Sequence, residues 1–362
     1  MGKKHYNLDM RKKSSIFPVS KEKIETKAVL RKEAQARQAL AELKGFAPII
    51  PNQNILISAI ALHEAKESSA IENIITTHDE LYKKLTSNFQ SDDLAAKEVV
   101  NYREAVYKGC EIVRKNKIIK ISDIKKIQEI ITGNNAGIRR LPGTALINDA
   151  TGEVVYTPPQ DYNEIISLLG DFCKFLNDDE NSLWKLAVLH YQFESIHPFY
   201  DGNGRAGRIL NILYLLLKNY LDTPILYLSS YIIKHKNDYY NLLREVRTKN
   251  NFERWILYIL DGIEETSKHT LKKIKKIKQL LDLSFTEIKE KCPKIYSKVL
   301  VELIFENPYS KIDFLVSKLN INRKTASKYL LELEGNKFLT HIQAGKEKLF
   351  INSRLMDILK ES

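Results

Sequence analysis

Between two helix-like stretches lies His197-Pro-Phe-Tyr-Asp201-Gly-Asn-Gly-Arg205-Ala-Gly-Arg208, and this segment limits what the chain can be. Gly202, Gly204 and Gly207 satisfy G-x-G-x-x-G, the spacing of dinucleotide-binding sheets, in which a strand must lead into the glycines. Here the preceding stretch, Leu183 to Glu194, is rich in Leu, Ala, His, Gln and Glu and reads as helix. A doubly wound α/β enzyme is therefore disfavoured. Helical spacing of apolar residues recurs over 21–43, 54–71, about 77–88, 92–117, 121–132, 161–177, 182–195, 205–220, 229–249 and 251–266, and no internal repeat interrupts it. The exception is 144–157, where two β-like runs flank an Asp149-Ala-Thr-Gly152 turn and Pro158-Pro159 follows, the pattern of a hairpin. The predicted class is mainly α with one conspicuous hairpin.

Glycines followed by a helix put free backbone N–H groups and a helix N-terminus against an anion. Arg205 and Arg208 are three apart, on one face of that first turn, and guanidinium forks beside a backbone cradle suit a polyphosphate. Asp201 is of the type that holds Mg²⁺ together with phosphate oxygens, and His197 can act as a general base near neutrality. Each alone has a plainer explanation: a core or capping histidine, an N-cap aspartate, a turn. Together within twelve residues they make the parts list of nucleotidyl or phosphoryl transfer.

The stretch 197–208 resembles the H-x-F-x-[DE]-G-N-G-R-x-x-R signature of Fic-family proteins at every specified position, and 144–157 is similar in placement to the family's flap. The resemblance covers roughly 20–265. It implies a mostly helical Fic core that transfers AMP from ATP to a protein hydroxyl, with Mg²⁺. His197 would deprotonate a target Ser, Thr or Tyr for attack on the α-phosphate, Phe199 would fix the loop and Asp201 would hold Mg²⁺. Gly202, Asn203 and Gly204, continuing into Ala206 and Gly207, would form the cradle, and Arg205 and Arg208 would hold the β- and γ-phosphates. Doc-type relatives, with Lys at the position of Gly204, act as kinases. Tyr240 is the candidate adenine contact, set against the alternative of a core aromatic. The flap would align a target segment by strand-like pairing.

Upstream, Ser68-Ser-Ala-Ile-Glu72-Asn73 lies on a predicted helix with Ser68 and Glu72 on one face. It resembles the [ST]-x-x-x-E-[GN] inhibitory motif of the family. That implies a brake in which Glu72 pairs with Arg208 and denies it to the γ-phosphate; in some relatives the same Glu supports removal of AMP.

The net charge of +12 is unevenly distributed. Residues 1–31 hold 9 basic and 3 acidic side chains, 268–362 hold 20 and 11, and the middle is near neutral. Taken with the resemblance, this implies a basic arm (1–20), an N-terminal helical region (21–132, inhibitory helix around 60–73), a Fic-like catalytic core (133–267), a basic linker helix (268–291) and a second domain (292–362). The last shows three apolar-periodic helices and a β-like pair, the order of a winged helix-turn-helix with 323–333 in the recognition position. Arg323, Lys324, Lys328 and Lys346 could meet DNA, although 292–362 carries only 12 basic against 8 acidic residues and such modules also dock proteins. Three scattered cysteines, no signal-like N-terminus and no membrane-length apolar run predict a cytoplasmic protein without a membrane partner.

The expectation is thus an autoinhibited adenylyltransferase using ATP and Mg²⁺ on a target protein, itself included. A de-AMPylating hydrolase and a DNA-binding regulator with a nucleotide-sensing core are the alternatives. Resemblance also suggests a homodimer.

Overall fold

The computed structural model describes residues 21–78, 80, 81, 84, 94–147, 152–344 and 347–361. The basic arm 1–20, the turn residues Asp149–Thr151 and the wing residue Lys346 lie outside them, as does most of the helix expected near 77–88.

Helix α1 (Lys21–Ile24) leads into α2 (Lys27–Phe46), which stops at a 3₁₀ turn, Ala47–Ile49, where Pro48 cannot continue the ladder. Helix α3 (Gln53–Ile71) starts at Asn52, whose side chain accepts from the Asn54 N–H at 3.1 Å. Next come α4 (Leu94–Asn116) and α5 (Ile121–Thr132), the latter closed by Gly133 in the left-handed region at φ 68°. Strands β1 (Leu146–Ile147) and β2 (Val154–Tyr156) pair antiparallel, as the hairpin pattern predicted.

Helices α6 (Tyr162–Asn177) and α7 (Leu183–Ile196) follow, then α8 (Asn203–Leu217), α9 (Ser229–Lys234), α10 (Lys236–Lys249) and α11 (Phe252–Lys291). The stretch expected as one helix over 229–249 is two, because His235 leaves helical geometry between them (φ −118°, ψ 35°). Conversely, 251–266 and the basic linker form one 40-residue helix. No proline occurs between Phe252 and Pro293, so nothing in the chain compels a stop there.

The chain divides into two compact units, one of 104–267 with the segment up to Ala41, the other of 42–103 with 268–362. In the first, α7 is the axis: all of its residues from Leu183 to Ile196 are buried. A helix buried all round must find partners for its polar side chains. Lys185 meets Asp178 and the Glu180 carbonyl, while His190 lies between the Tyr239 hydroxyl (2.9 Å) and the Asn211 amide (3.2 Å). The Asn211 amide donates to Nδ1, so Nε2–H donates to Tyr239. Trp255 of α11, fully buried, donates to the Ala187 carbonyl at 2.7 Å. Gly207 of α8 lets α7 pass close by: a Cβ there would lie 2.9 Å from Glu194 Oε1 and 3.2 Å from Phe193 Cδ1.

In the second unit α12 (Lys298–Glu306), β3 (Tyr309–Ser310), α13 (Ile312–Leu319), α14 (Arg323–Gly335), β4 (Thr340–Ala344), β5 (Glu347–Ile351) and α15 (Ser353–Lys360) follow in order. The sheet runs β3-β5-β4, all antiparallel. Ser297, Asn322 and Asn352 cap α12, α14 and α15 by accepting the N–H three residues on. The two-residue β3 and the terminal α15 are additional to the elements expected from sequence. Asn52 at the start of α3 reaches Glu306 at 3.3 Å, tying that helix to α12. No helix among the described residues is long and apolar enough to cross a membrane.

Candidate active site

Helix α7 ends and α8 begins within seven residues, and the turn between them holds the first residues of the 197–208 motif. His197 caps α7 in the left-handed region (φ 46°, ψ 60°), a conformation that costs a non-glycine residue about 1 kcal/mol or more. Its N–H donates to the Phe193 carbonyl at 3.0 Å. The next peptide units turn inward: Phe199 is fully buried, and Asn203 clasps it from both sides. Asn203 Oδ1 accepts the Phe199 N–H at 2.9 Å and its Nδ2 donates to the Phe199 carbonyl at 2.8 Å. Two buried amide bonds to one backbone unit fix where the preceding imidazole stands.

Asp201 follows on the exposed side of the turn, its side chain 64 % accessible. Its Oδ1 accepts the Gly202 N–H at 2.6 Å and faces Arg205 Nη2 at 3.2 Å. Gly202 has φ 79°, which favours glycine, and a Cβ would sit 3.0 Å from Thr132 Cγ2, which would have to give way. Gln128 of α5 supports the turn from below, donating to the Asp201 carbonyl at 3.1 Å. Helix α8 then starts at Asn203 with Gly204, Arg205 and Ala206 in its first turn, its N–H groups facing the turn as an anion cradle requires. Arg205 and Arg208 are almost covered, at 2 % and 4 % exposure.

The electrostatics suit a base. The His197 ring is driven well below the ordinary histidine value, to about 4, first by burial and then by the positive charges of Arg139 and Arg247; the nearby Glu194 carbonyl pulls the other way. The imidazole is therefore neutral around pH 7, the form that accepts a proton. His190, deeper in the core, is lowered further, to about 3, by burial and by Arg208.

Three contributors were not foreseen. Arg139, fully buried, precedes the hairpin and donates from Nε to the His197 carbonyl at 2.8 Å. Tyr156, the last residue of β2, donates from its hydroxyl to the Ser195 carbonyl at 2.9 Å. Arg247 of α10 lays its guanidinium over the Tyr156 ring at 3.9 Å. The hairpin is thus anchored at its base, while Ile147, Val154 and Val155 face outward. A loop arginine has no periodicity to betray it; the Gly137-Ile-Arg139 run ahead of Pro142 was the only local signal.

Of the remaining predicted residues, Tyr240 is half exposed (49 %), and its neighbour Tyr239 takes the core position instead. Ser68 and Glu72 belong to the other unit. There Ser68 is fully buried, Glu72 closes α3, and Asn73 follows at φ 62°. The Ile74 N–H returns to the Ser69 carbonyl at 3.1 Å, so Asn73 does what a left-handed helix stop needs. Among the described residues no three His, Cys, Asp or Glu side chains gather as a metal cage. The lone exposed Asp201 carboxylate fits the other way of holding Mg²⁺, one carboxylate shared with substrate phosphates.

Residues 30–111 match the Fic/DOC family N-terminal region, 118–215 the Fic/DOC family, and 280–355 the C-terminal domain of SoFic-like protein adenylyltransferases. Protein adenylyltransferase Fic of Aedes aegypti is 26% identical over 164 residues, 44% of this chain and 31% of the relative. That of Nematostella vectensis is 27% identical over 154 residues, 41% and 34% of the two. The chain therefore spans about a third of the length of these relatives. Among solved structures, a Fic family protein from Desulfovibrio desulfuricans G20 shares the fold over 90% of this chain and 96% of its own, with TM-score 0.56 at 18% identity. Fic-1 (aa134–508) from C. elegans does so over 68% and 74%, with TM-score 0.51 at 18% identity. With its motif intact on a turn between two buried helices and its three consecutive matches, the chain belongs to the Fic/DOC family.

Proposed function

We propose that this chain is an autoinhibited protein adenylyltransferase, transferring AMP from ATP to a Ser, Thr or Tyr hydroxyl of a target protein. The observation that carries the reading is a neutral imidazole, His197, held at a strained helix end beside the N-terminus of α8. His197 Nδ1 is buried, which leaves Nε2 to take the hydroxyl proton. The oxygen then bonds to the α-phosphorus, and pyrophosphate departs with the electron pair of the broken P–O bond. Amides at the start of α8, with Arg205 and Arg208, would hold the phosphates, and Asp201 is the side chain that would hold Mg²⁺. When bound, that ion would neutralise phosphate charge. The names of the relatives, protein adenylyltransferases, support the same reaction.

Glu72 is the brake in this reading: its carboxylate would oppose the γ-phosphate for Arg208 and leave ATP in an unproductive pose. The motif around it, with Ser68 buried and Asn73 stopping the helix, supports that role. Incubation with α-labelled ATP of wild type, Glu72→Gly and His197→Ala tests both parts. Label should rise in the first variant and vanish in the second. Equal labelling of all three would overturn the reading, and release of AMP from premodified protein would favour a hydrolase.

Residues 292–362 are read here as a winged helix. The exposed Arg323, Lys324 and Lys328 at the start of α14 support a DNA contact as a second, separate activity. A salt-sensitive gel shift with random duplex would support it, and its absence would remove DNA.

A further inference from the structure

The carbonyls at the end of a helix have no intrahelical partner, and α7 disposes of its own in an unusual way. The Phe193 carbonyl takes the His197 N–H, and the Ser195 carbonyl takes the Tyr156 hydroxyl. The Ile196 carbonyl, at 3.4 Å, and the His197 carbonyl, at 2.8 Å, both go to one guanidinium, that of Arg139. The same side chain donates to the carbonyl of Pro159 at the far end of the hairpin. Its backbone N–H donates to the Pro198 carbonyl at 3.0 Å, and Ile138 bridges to Phe199. One fully buried residue therefore touches the helix end, the histidine, the motif turn and the exit of the hairpin.

We propose that Arg139 is a positioning residue for His197, holding its strained backbone in place and keeping the hairpin in register with it. This rests on the reading of His197 as the base. The physical case has three parts. First, a left-handed histidine is unfavourable by itself and persists only where its surroundings over-determine it. The fork supplies a charge-assisted bond to the carbonyl that the left-handed turn projects. Second, a cation at a helix C-terminus is favoured by the helix dipole, which helps a buried guanidinium to stay. Third, the charge faces the imidazole and discourages its protonation; Arg247 of α10 is the other charged group acting on the ring.

A lysine keeps the charge but lacks the planar fork needed to reach three carbonyls. Arg139→Lys and Arg139→Met therefore separate geometry from charge. Both would be made in the Glu72→Gly background, with AMP transfer followed by kcat and by KM for ATP, and His197 titrated by NMR without nucleotide. Arg139→Lys should lower kcat by ~10-fold or more, as small misplacements of a catalytic group do, with KM nearly unchanged and the His197 titration still near its wild-type position. Arg139→Met should lose activity as well and shift that titration upward. Wild-type kcat in Arg139→Lys overturns the proposal, as does a folded Arg139→Met whose His197 titrates as before. If Arg139→Met does not fold, the lysine variant alone decides. If Glu72→Gly itself transfers no AMP, the functional reading fails, and the NMR titration of the two variants still decides what Arg139 does to His197.

Discussion

Among the described residues several helices stop at a non-glycine residue in the left-handed region, and two of these stops, at α3 and at α7, are built for different ends. At α3 the residue is Asn73, φ 62°, one of the side chains that tolerates this conformation, and backbone bonds from Asn73 to Ala70 and from Ile74 to Ser69 complete the stop. At α7 it is His197, φ 46°, and here far more than the backbone holds the stop. Arg139, Asn203, Tyr156 and Gln128 all brace that helix end or the turn after it. A helix that merely had to end would use the first solution. Strain that has to be braced from α5, the hairpin and α8 marks the place where a side chain must stand in one spot.

The largest effect should come from removing that side chain. His197→Ala should reduce AMP transfer by ~10²–10⁴-fold, the range for loss of a general base, while the folded chain still binds ATP. Radiolabel transfer and ATP binding measured on one preparation check this, and binding lost together with transfer would contradict it. At the other stop the sign reverses. Glu72→Gly should raise transfer by ~5–150-fold, the usual span of a coupling between two states. Initial rates at saturating ATP read it directly, and an unchanged rate would leave α3 as plain scaffold.

The pH dependence separates the base from an ordinary histidine. With His197 lowered to about 4, the rate in Glu72→Gly should stay flat from neutrality to about pH 5 and then fall roughly tenfold per unit below 4. A surface histidine would begin to fail near 6.5. Stability follows with a definite sign. Between pH 6.5 and about 4 the unfolded chain binds a proton at this position and the folded chain does not. Stability from this group is therefore full above 6.5 and lost as pH falls through that window. His63 and His190, both lowered to about 3, act in the same direction. Urea unfolding at pH 5 and pH 7 should show the lower midpoint at pH 5.

How much of this was legible in the sequence depends on whether a residue's neighbours along the chain carry its reason. The turn 197–208 was readable because its glycines, arginines and histidine are contiguous and flanked by helix-forming sequence. Apolar periodicity found α3, α5, α6 and α7 to within a residue or two. Arg139 was invisible because its partners lie at 159, 196 and 197. The unbroken α11 was missed for another reason: composition changes at 268 from apolar to Lys-rich, but a change of face is not a stop signal. Tyr239 and Tyr240 are adjacent on α10, so sequence could not say which faces the core; packing beside His190 and Trp255 selects Tyr239.

The smaller predictions probe the turn and the stop as backbone. Gly202→Ala places a methyl 3.0 Å from Thr132 Cγ2 at φ 79°. The conformation alone costs about 1–2 kcal/mol, so Tm should fall by several degrees, at roughly 2–4 °C per kcal/mol for a chain of this size. Asn73→Gly is the gentlest case, because glycine takes the left-handed position without strain and the Ile74–Ser69 bond needs only backbone. Its stability, read by thermal unfolding, should stay within about 0.5 kcal/mol of wild type, and labelling should remain at the braked level, since Glu72 is untouched. A large loss of stability would show that the Asn73 side chain carries weight that the backbone bond does not. A gain in labelling would show that the brake depends on how α3 ends as well as on the carboxylate it presents.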